Sequence, residues 1–568
     1  MFRKNDRHHQ SAMFSSVNDL PPKLRHRLKQ SWAGVFYREC FCRLDESLFE
    51  RLYTDVDSRP NTPVNVLLSF EILKAGNGWS DMETHERFCF DAQVRYAVGY
   101  HDFSQGHFEL RTVYNFRKRV QEHHARTGED LLGLAFEQVT DKQLSAFAVD
   151  TSKVRMDSTQ VASNIRNFSR LQLLVEVLVR VRRMLCQSDR TRYAELLDPY
   201  VSKSSTRFVF GVCSEKGREH ISRIGRIMAV LVKALAQSYS EDATYALLRR
   251  VFEEQFIQDD DNDNDDWRPR QLGEFTSPLV GSPDDQEASM RSKRGIQYRG
   301  YAVNVTETCA AENAVQLIVS VQTAPNIMTD VQFLTESVYR LKGRLDIDTC
   351  YTDGGYNKES LYRMMQPLGI EHIQTGIQGH PSSSHLGLYR YQILKSPLGD
   401  PQSVICPQGQ ESETHKRRAG RYHAYFTHEQ CEGCPHTERC RSIVCKSHRT
   451  LIFTDYDMEI AKRRLYIESL KDKGSNPRSA VESTVYSLKR PFGKKVPVRG
   501  RRPVHRLMIG SAFMANIRRI HRAGQGSIRP KGEHPAPGHL LDTFFCVFVQ
   551  IMQTLAPLAS SCSVAVAT

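Results

Sequence analysis

The 568-residue sequence has no uninterrupted apolar run of the length that crosses a membrane. Its most apolar stretch, at 539–560, is broken by Asp542, Gln550 and Pro557, which is typical of a core helix or a terminal tail. Residues 1–9 carry charges without an apolar core behind them, so we expect no signal peptide. These absences argue against a membrane protein and favour a cytoplasmic one.

A disulfide scaffold is the second class that the sequence argues against. Its 14 cysteines are scattered over a long chain without a secretory signal, and reduced thiols are the rule in the cytosol. No repeat of roughly 20 to 50 residues is visible, which argues against a solenoid or a propeller. Hydrophobic residues make up 40% and charged residues 25%, the composition of a globular protein with several domains.

Positive charge is in excess and is unevenly placed. Lys and Arg number 78 against 65 Asp and Glu, which gives a net charge of +13. This balance fits nucleic acid or an acidic membrane surface. Between His415 and Pro535 there are 27 Lys or Arg and only 10 Asp or Glu. Charge so concentrated favours a phosphate-binding surface, and Arg499, Arg501 and Arg502 are the candidates for DNA contact.

Hydrophobic spacing sets apart a helical first domain at 1–145. A break at 77–81 divides two helical patterns, with Ser80 or Asp81 as the N-cap. Two helices around such a turn fit a DNA-reading unit. An ordinary helix hairpin is the simpler interpretation.

The rest of the chain has the pattern of an α/β protein. We expect a strand that starts near Phe147 and ends at 157–159, then a helical insertion at 165–289 that includes an acidic linker at 259–266. A β-hairpin at 298–321, a helix at 331–341 and a strand at 347–352 come next. This order predicts helices around a mixed sheet, with catalytic segments at 146–164 and 290–522, a small Cys-rich insertion at 400–450 and a tail at 523–568.

Three acidic residues stand out by their context. Asp157 and Asp353 lie at predicted strand ends, and Glu482 lies on a predicted helix between Arg478 and Lys489. Phosphodiester cleavage uses divalent ions, and Mg²⁺ prefers carboxylate oxygens, so two strand-end aspartates and a helical glutamate suit that chemistry. Arg478 and Lys489 would then bind the DNA backbone. Alone, each has a simpler explanation as a turn, a cap or an ion-pair row. The rival acids are Asp150, Asp346, Asp348 and Glu468.

Three motifs carry a resemblance to a known family: Met-Asp-Ser-Thr-Gln-Val at 156–161, Tyr-Thr-Asp-Gly-Gly-Tyr at 351–356, and Arg478-x3-Glu482-x6-Lys489. They resemble the DDE transposases of bacterial insertion sequences. Segments at 52–63, 88–96, 111–117 and 298–301 are similar to the InsH-type N-terminal domain found on these enzymes. The family's tyrosine three residues before Arg478 is replaced by Ser475.

The resemblance implies an RNase H-like catalytic fold, with Asp157 on its first strand, Asp353 after its fourth and Glu482 on a later helix. It also implies Mg²⁺ or Mn²⁺ held by these three acids, with Arg478 and Lys489 as basic partners of the glutamate. The implied activity is nicking at the ends of the element and joining of the 3′-hydroxyl to target DNA. A homodimer that holds both double-stranded DNA ends would be the working form.

A cysteine cluster is the second chemical signal. Cys431-x2-Cys434 has the spacing of a zinc knuckle, and Cys406 and Cys440 complete a set of four, with Cys445 as a substitute. Reduced thiols are the alternative. Zinc here would be structural.

Two further functions stay open at the level of the sequence. One is a sequence-specific DNA-binding protein derived from a transposase but without catalysis. The other is a metal-dependent nuclease that does not join strands.

Overall fold

The computed structural model describes residues 1–9, 15–54, 60–258, 267–275, 278–293, 296–376, 384–397, 399–473 and 476–526. The acidic run at 259–266 and the apolar stretch at 539–560 lie outside these residues. The chain forms two compact units, Met1–Ile520 and His521–Thr568. In the second unit the described residues, 521–526, are helical. No described helix is both long and apolar enough to cross a membrane.

The N-terminal part is helical, as predicted. Its centre is α3, which is buried along nearly its whole length, including the polar residues Asn65, Ser69, Glu71 and Lys74. Gly78 ends α3 with φ +73, a conformation that favours glycine, and Ser80 then caps α4 by accepting a hydrogen bond from the Glu83 amide. The helices are α1 Pro22–Gln30, α2 Trp32–Glu39, α3 Val64–Asn77, α4 Asp81–Phe90, α5 Ala92–Ala97, α6 Leu110–Thr127 and α7 Leu131–Ala146.

A six-stranded mixed sheet lies in the first unit, and the mixed α/β class is therefore confirmed. Its strands are β1 Lys153–Ala162, β4 Ser289–Lys293, β5 Ile296–Thr308, β6 Ile318–Pro325, β7 Thr349–Thr352 and β8 Glu371–Gln374. The order is β4-β5-β1-β7-β8, and β6 also pairs with β5. β1 runs antiparallel to β5 and parallel to β7. Helices α14 Asp330–Arg344 and α15 Glu359–Met365 connect the later strands.

Between β1 and β4 the chain builds a helical region with its own core. The i, i+3, i+7 spacing that predicted a helix at Leu171, Leu174 and Leu178 places these side chains in that core. Burying each leucine contributes about 1.5–3 kcal/mol relative to leaving it exposed. The elements are α8 Arg170–Met184, α9 Gln187–Arg192, α10 Ala194–Val201, α11 Ser205–Phe210, α12 Gly217–Leu235, α13 Ala243–Gln255, β2 Phe256–Gln258 and β3 Trp267–Pro269.

A second, antiparallel sheet precedes the helix of Glu482. On its strand β12, Tyr422, Ala424 and Phe426 alternate with more exposed residues and pack into a small core. The strands are β9 Gln392–Lys395, β10 Pro401–Ile405, β11 Glu411–Arg417, β12 Arg421–Thr427, β13 Ile443–Val444 and β14 His448–Thr454.

Three helices end the described chain: α16 Asp455–Lys473, α17 Ser479–Lys489 and α18 Arg501–Gly526. α18 crosses α3 closely, because a β-carbon on Gly510 would lie only 2.7 Å from that of Ala75. The missing side chain at Gly510 therefore permits this contact, which ties the N-terminal helices to the end of the first unit.

The expected end of the first strand is wrong. Phe147 caps α7 instead of starting a strand, and β1 continues through Asp157 to Ala162, so Asp157 lies in the middle of the strand. The physical reason is pairing, because Ser158 to Ala162 bond to a long partner strand, β5, that local sequence does not reveal.

Candidate active site

The sheet brings the two aspartates side by side. Arg155 of β1 is paired with Tyr351 of the parallel strand β7. Asp157 follows Arg155 by two residues and Asp353 follows Tyr351 by two, so the two aspartates lie on adjacent segments just beyond the last bonded pair. Neighbouring strands lie about 4.8 Å apart. Asp353 directly follows β7 and caps a short 3-10 helix, where its Oδ1 accepts a hydrogen bond of 2.8 Å from the Gly355 amide.

Helix α17 packs against β1 and adds the third acid. Its apolar stripe, Val481, Val485 and Leu488, is buried, which leaves the Glu482 side chain on the other face and 59% exposed. The helix that the spacing predicted around Glu482 is thus confirmed.

The other two carboxylates act on Asp157. Burial, with the negative charges of Asp353 and Glu482, raises the pKa of Asp157 to about 6, although the Arg478 guanidinium opposes this shift. The structure therefore places Asp157, Asp353 and Glu482 close enough for their charges to interact. A bound cation would reduce the repulsion between these negative charges.

Arg478 and Lys489 bind the protein's own groups. The guanidinium of Arg478 lies 3.1 Å from Oδ2 of Asp157 and also pairs with Glu482. The Lys489 ammonium donates to Oγ1 of Thr159, at 2.6 Å, and burial lowers its pKa. Both cations fasten α17 to β1, and their contact with DNA stays a prediction.

A buried glutamate, Glu307 on β5, holds α17 from the other side. Its carboxylate is fully buried and pairs with Arg155 of β1 and Arg519 of α18, each at 2.6 Å. Thr484 of α17 donates a further hydrogen bond to Glu307, at 2.8 Å. Sequence reasoning missed this residue because it looks like an ordinary polar residue near the end of a strand.

A fourth acid, Asp330, borders the site and was also missed. It opens α14, and its Oδ1 accepts a hydrogen bond of 2.5 Å from Oγ of Ser158, the residue after Asp157. Thr329 and Gln332 form a capping box around it. An acidic residue in the first turn of a capped helix has an ordinary explanation, so sequence alone gave no reason to select it.

The rival acids lie elsewhere. Asp150 accepts hydrogen bonds from Ser152 in the turn before β1, and Asp348 accepts one from Thr349 at the start of β7. Both therefore lie at the opposite ends of the strands from the site. Glu468 is exposed on α16.

Three of the five clustered cysteines lie near the fourth, Cys431. Burial raises the pKa of the Cys431 thiol, and Cys440, Cys406 and Cys434 add to this shift. Cys445 contacts Thr450. The described cysteines of the cluster are all free thiols.

The basic residues near the start of α18 have mixed surroundings. Arg499 is 49% exposed and donates to the carbonyl of Asn164, at 2.7 Å. Arg501 is exposed, and Arg502 donates to the carbonyl of Gln121. Phosphate contact by these three arginines stays a prediction.

Within the described ranges, no group of three or more His, Cys, Asp and Glu side chains is arranged so that it could hold a metal ion. In the candidate active site, Arg478 lies between two of the acids. The donor set itself suits Mg²⁺ in its chemistry, since it consists of three carboxylates.

Comparison with known protein families gives one finding. Residues 405–521 match the family model described as "Transposase DDE domain". The matched segment contains Arg478, Glu482, Lys489 and the cysteine cluster, whereas Asp157 and Asp353 precede it. Comparisons with curated proteins and with solved structures gave no match. The similarity supports a DDE-type transposase, a class of enzyme whose partner is DNA.

Proposed function

We propose that this protein is the transposase of a bacterial insertion sequence. It binds the terminal inverted repeats, cleaves DNA at the element ends in a metal-dependent reaction and transfers the 3′-ends to target DNA. The observation that carries the proposal is the meeting of Asp157 on β1, Asp353 directly after β7 and Glu482 on α17, the helix packed against β1. The similarity of 405–521 to a transposase domain supports it.

An RNase H-like core is part of the proposal. With the short β4 set aside, Asp157 lies on the first strand of the sheet along the chain and Asp353 follows the fourth. That placement agrees with what the resemblance to DDE transposases implies. The InsH-type identity of the N-terminal helices is likewise proposed from the motifs alone.

Asp157, Asp353 and Glu482 would hold Mg²⁺ or Mn²⁺. When bound, the metal supplies Lewis-acid activation of the attacking water or 3′-hydroxyl and offsets charge on the phosphate. The chain's own groups do the rest. Arg478 places a permanent positive charge between two of the acids, where the backbone phosphate of DNA would lie. Lys489 keeps α17 fixed on β1.

Helix α1 is the best-placed element of the N-terminal domain for binding DNA. It contains Lys23, Arg25, Arg27 and Lys29, no acidic residue in its first turn and no buried residue. Lys23 and Arg27 are spaced i, i+4, as are Arg25 and Lys29, and like charges at that spacing destabilise a helix. Phosphates along a DNA backbone would remove this repulsion. The basic region at the start of α18 supplies the second contact.

The salt dependence of DNA binding tests the role of α1. Replacing Lys23, Arg27 and Lys29 by Gln is expected to reduce the slope of log K against log salt by about 2.7, because each phosphate contact contributes about 0.9. The control makes the same charge change in the helical insertion: Lys216→Gln, Arg218→Gln and Arg226→Gln. An equal loss in both variants would mean that general charge, not α1, governs affinity.

Cleavage is tested with the purified protein and labelled DNA that carries the terminal repeats, in Mg²⁺ and in EDTA. We expect Mg²⁺-dependent nicks at the element ends that disappear in Asp353→Ala and persist in Asp150→Ala, the matched control at the far end of the sheet. Equal nicking in all three proteins would overturn the site.

One observation favours a second function, a DNA-binding protein without catalysis. Arg478 pairs with both Asp157 and Glu482, so a cation of the protein already lies between two of the acids. Salt-sensitive DNA binding with no cutting under any metal condition would support this alternative. Cutting without strand joining would instead indicate a nuclease.

Three further statements belong to the proposal. The protein acts as a homodimer on DNA, because two element ends must be held together during transfer. It works in the cytoplasm, where the element's DNA is located. Cys406, Cys431, Cys434 and Cys440 hold a structural Zn²⁺, since thiols are a ligand type that zinc prefers and three of these cysteines raise the pKa of the fourth, Cys431.

A further inference from the structure

Asp330 touches both segments that carry the catalytic aspartates of the proposed site. Its Oδ1 accepts the hydrogen bond from Oγ of Ser158, at 2.5 Å. On its other side, a β-carbon placed on Gly355 would lie 2.4 Å from Oδ2 of Asp330. The carboxylate is half-buried between the start of α14, the strand β1 and the turn after β7.

Ser158 on β1 and Gly355 after β7 each donate a backbone hydrogen bond to one of the two aspartates. The Ser158 amide donates to Oδ1 of Asp157, at 3.0 Å. The Gly355 amide donates to Oδ1 of Asp353, at 2.8 Å. Asp330 therefore contacts the two residues whose backbone holds the two aspartates.

A buried hydrogen-bond network fixes the turn after β7, which contains Gly355. Tyr356, which follows Gly355, is fully buried and donates to Oδ1 of Asn304 on β5, at 2.7 Å. Asn304 donates to Gln322 of β6, and Gln322 donates to the carbonyl of Phe333 on α14. Helix α14, the helix of Asp330, is thus anchored to the sheet at a second point.

From these contacts we infer that Asp330 is a positioning residue that fixes the separation of Asp157 and Asp353 and thereby the affinity of the site for its metal. It acts through the hydroxyl of Ser158 and through close packing on Gly355, not as a ligand. This inference rests on the proposed function, because it concerns the same two aspartates. Outer partners of metal ligands typically change metal affinity or activity by about 10- to 100-fold when they are removed.

The test measures metal binding by the DNA-free protein, with Mn²⁺ titrated and the free ion followed by electron paramagnetic resonance. We expect Asp330→Ala and Ser158→Ala each to weaken binding by about tenfold or more. The double variant is expected to be no weaker than the worse single variant, because both changes break one contact. Asp330→Asn is expected to stay near the parent, since its amide oxygen still accepts from Ser158. Glu336→Ala, an exposed acid on the same helix, is the control.

The outcomes separate this inference from the proposed function. Binding that Asp353→Ala abolishes but Asp330→Ala leaves unchanged would overturn the positioning role and keep the metal site. Equal loss in Asp330→Asn and Asp330→Ala would assign the effect to charge and would also overturn it. No Asp353-dependent Mn²⁺ binding in the parent protein would overturn the metal site and this inference together. Thermal unfolding of Asp330→Asn and Asp330→Ala is measured alongside metal binding. If the two variants unfold at the same temperature and only Asp330→Asn keeps the parent's Mn²⁺ affinity, the loss in Asp330→Ala does not come from destabilisation.

Discussion

The buried carboxylate of Glu307 should control both stability and the placement of α17. Replacing Glu307 by Ala would leave Arg155 and Arg519 without their shared partner, although their side chains are only 12% and 18% exposed. Removing one member of a buried ion pair costs about 3–5 kcal/mol, because the remaining charge is desolvated and unpaired. With two arginines and Thr484 losing their acceptor, we expect the upper part of that range.

The assay combines urea unfolding with hydrogen exchange of the peptide that covers α17. In Glu307→Ala, the midpoint of unfolding should fall, and the α17 amides should exchange faster because their tie to β5 is lost. Glu359→Ala is the control, because its pair with Arg363 is largely exposed, and such pairs contribute at most about 1 kcal/mol.

An equal loss of stability in Glu307→Ala and Glu359→Ala would contradict this prediction. A second check uses Glu307→Ala together with Arg519→Ala. The double change should cost less than the sum of the two single changes, because the second removes a charge that the first had left unpaired.

Three other predictions concern the sites. The folded-state pKa of Asp157, about 6, exceeds its ordinary value, so its contribution to stability is fully present below about pH 4 and is lost as the pH rises through 6. In EDTA, the free energy of unfolding of Asp157→Asn, measured with urea, should therefore rise relative to that of the parent by up to about 3 kcal/mol between pH 4 and pH 8. A difference that does not vary with pH would contradict this. Gly355→Ala should weaken Mn²⁺ binding by about tenfold, since the new methyl group displaces Asp330, and unchanged binding would show that the close packing is unimportant. Cys434→Ser should lower the zinc content of the purified protein, measured by elemental analysis, whereas Cys445→Ser should not; equal content in both would argue against the four-thiol set.

The sequence was most informative where hydrophobic spacing is strong. The strand before Asp353, the hairpin that begins after residue 297 and the helix of Glu482 lie where alternation or 3.6-residue spacing predicted them. Such spacing shows which face of an element is buried, and that is enough to place a residue at a strand end or on a helix face.

The features that sequence reasoning missed depend on contacts between distant segments. The strand of Asp157 continues because β5, about 140 residues later in the chain, pairs with it. Glu307 and Asp330 have unremarkable neighbours in sequence, and their roles arise only when three or more elements meet around them. The strands of the second sheet at 392–454 show alternation, for example at Tyr422, Ala424 and Phe426. The cysteine spacing in the same segment led to the prediction of a small zinc-binding insertion and not of a sheet.

The helical region between β1 and β4 has a consequence for how the protein is made. β1 is synthesised long before both of its neighbours in the sheet, β5 and β7. At about 5–20 residues per second, the ribosome needs about 16–65 s to pass from Asp157 to Glu482. The helical region between β1 and β4 has its own core, so it can fold during this interval and bring the two ends of the connection between these strands together. This reduces the entropy lost when β1 pairs with β5. A nascent chain released early would therefore contain a folded helical region beside an unpaired strand, and only a chain that extends through α17 could assemble the site.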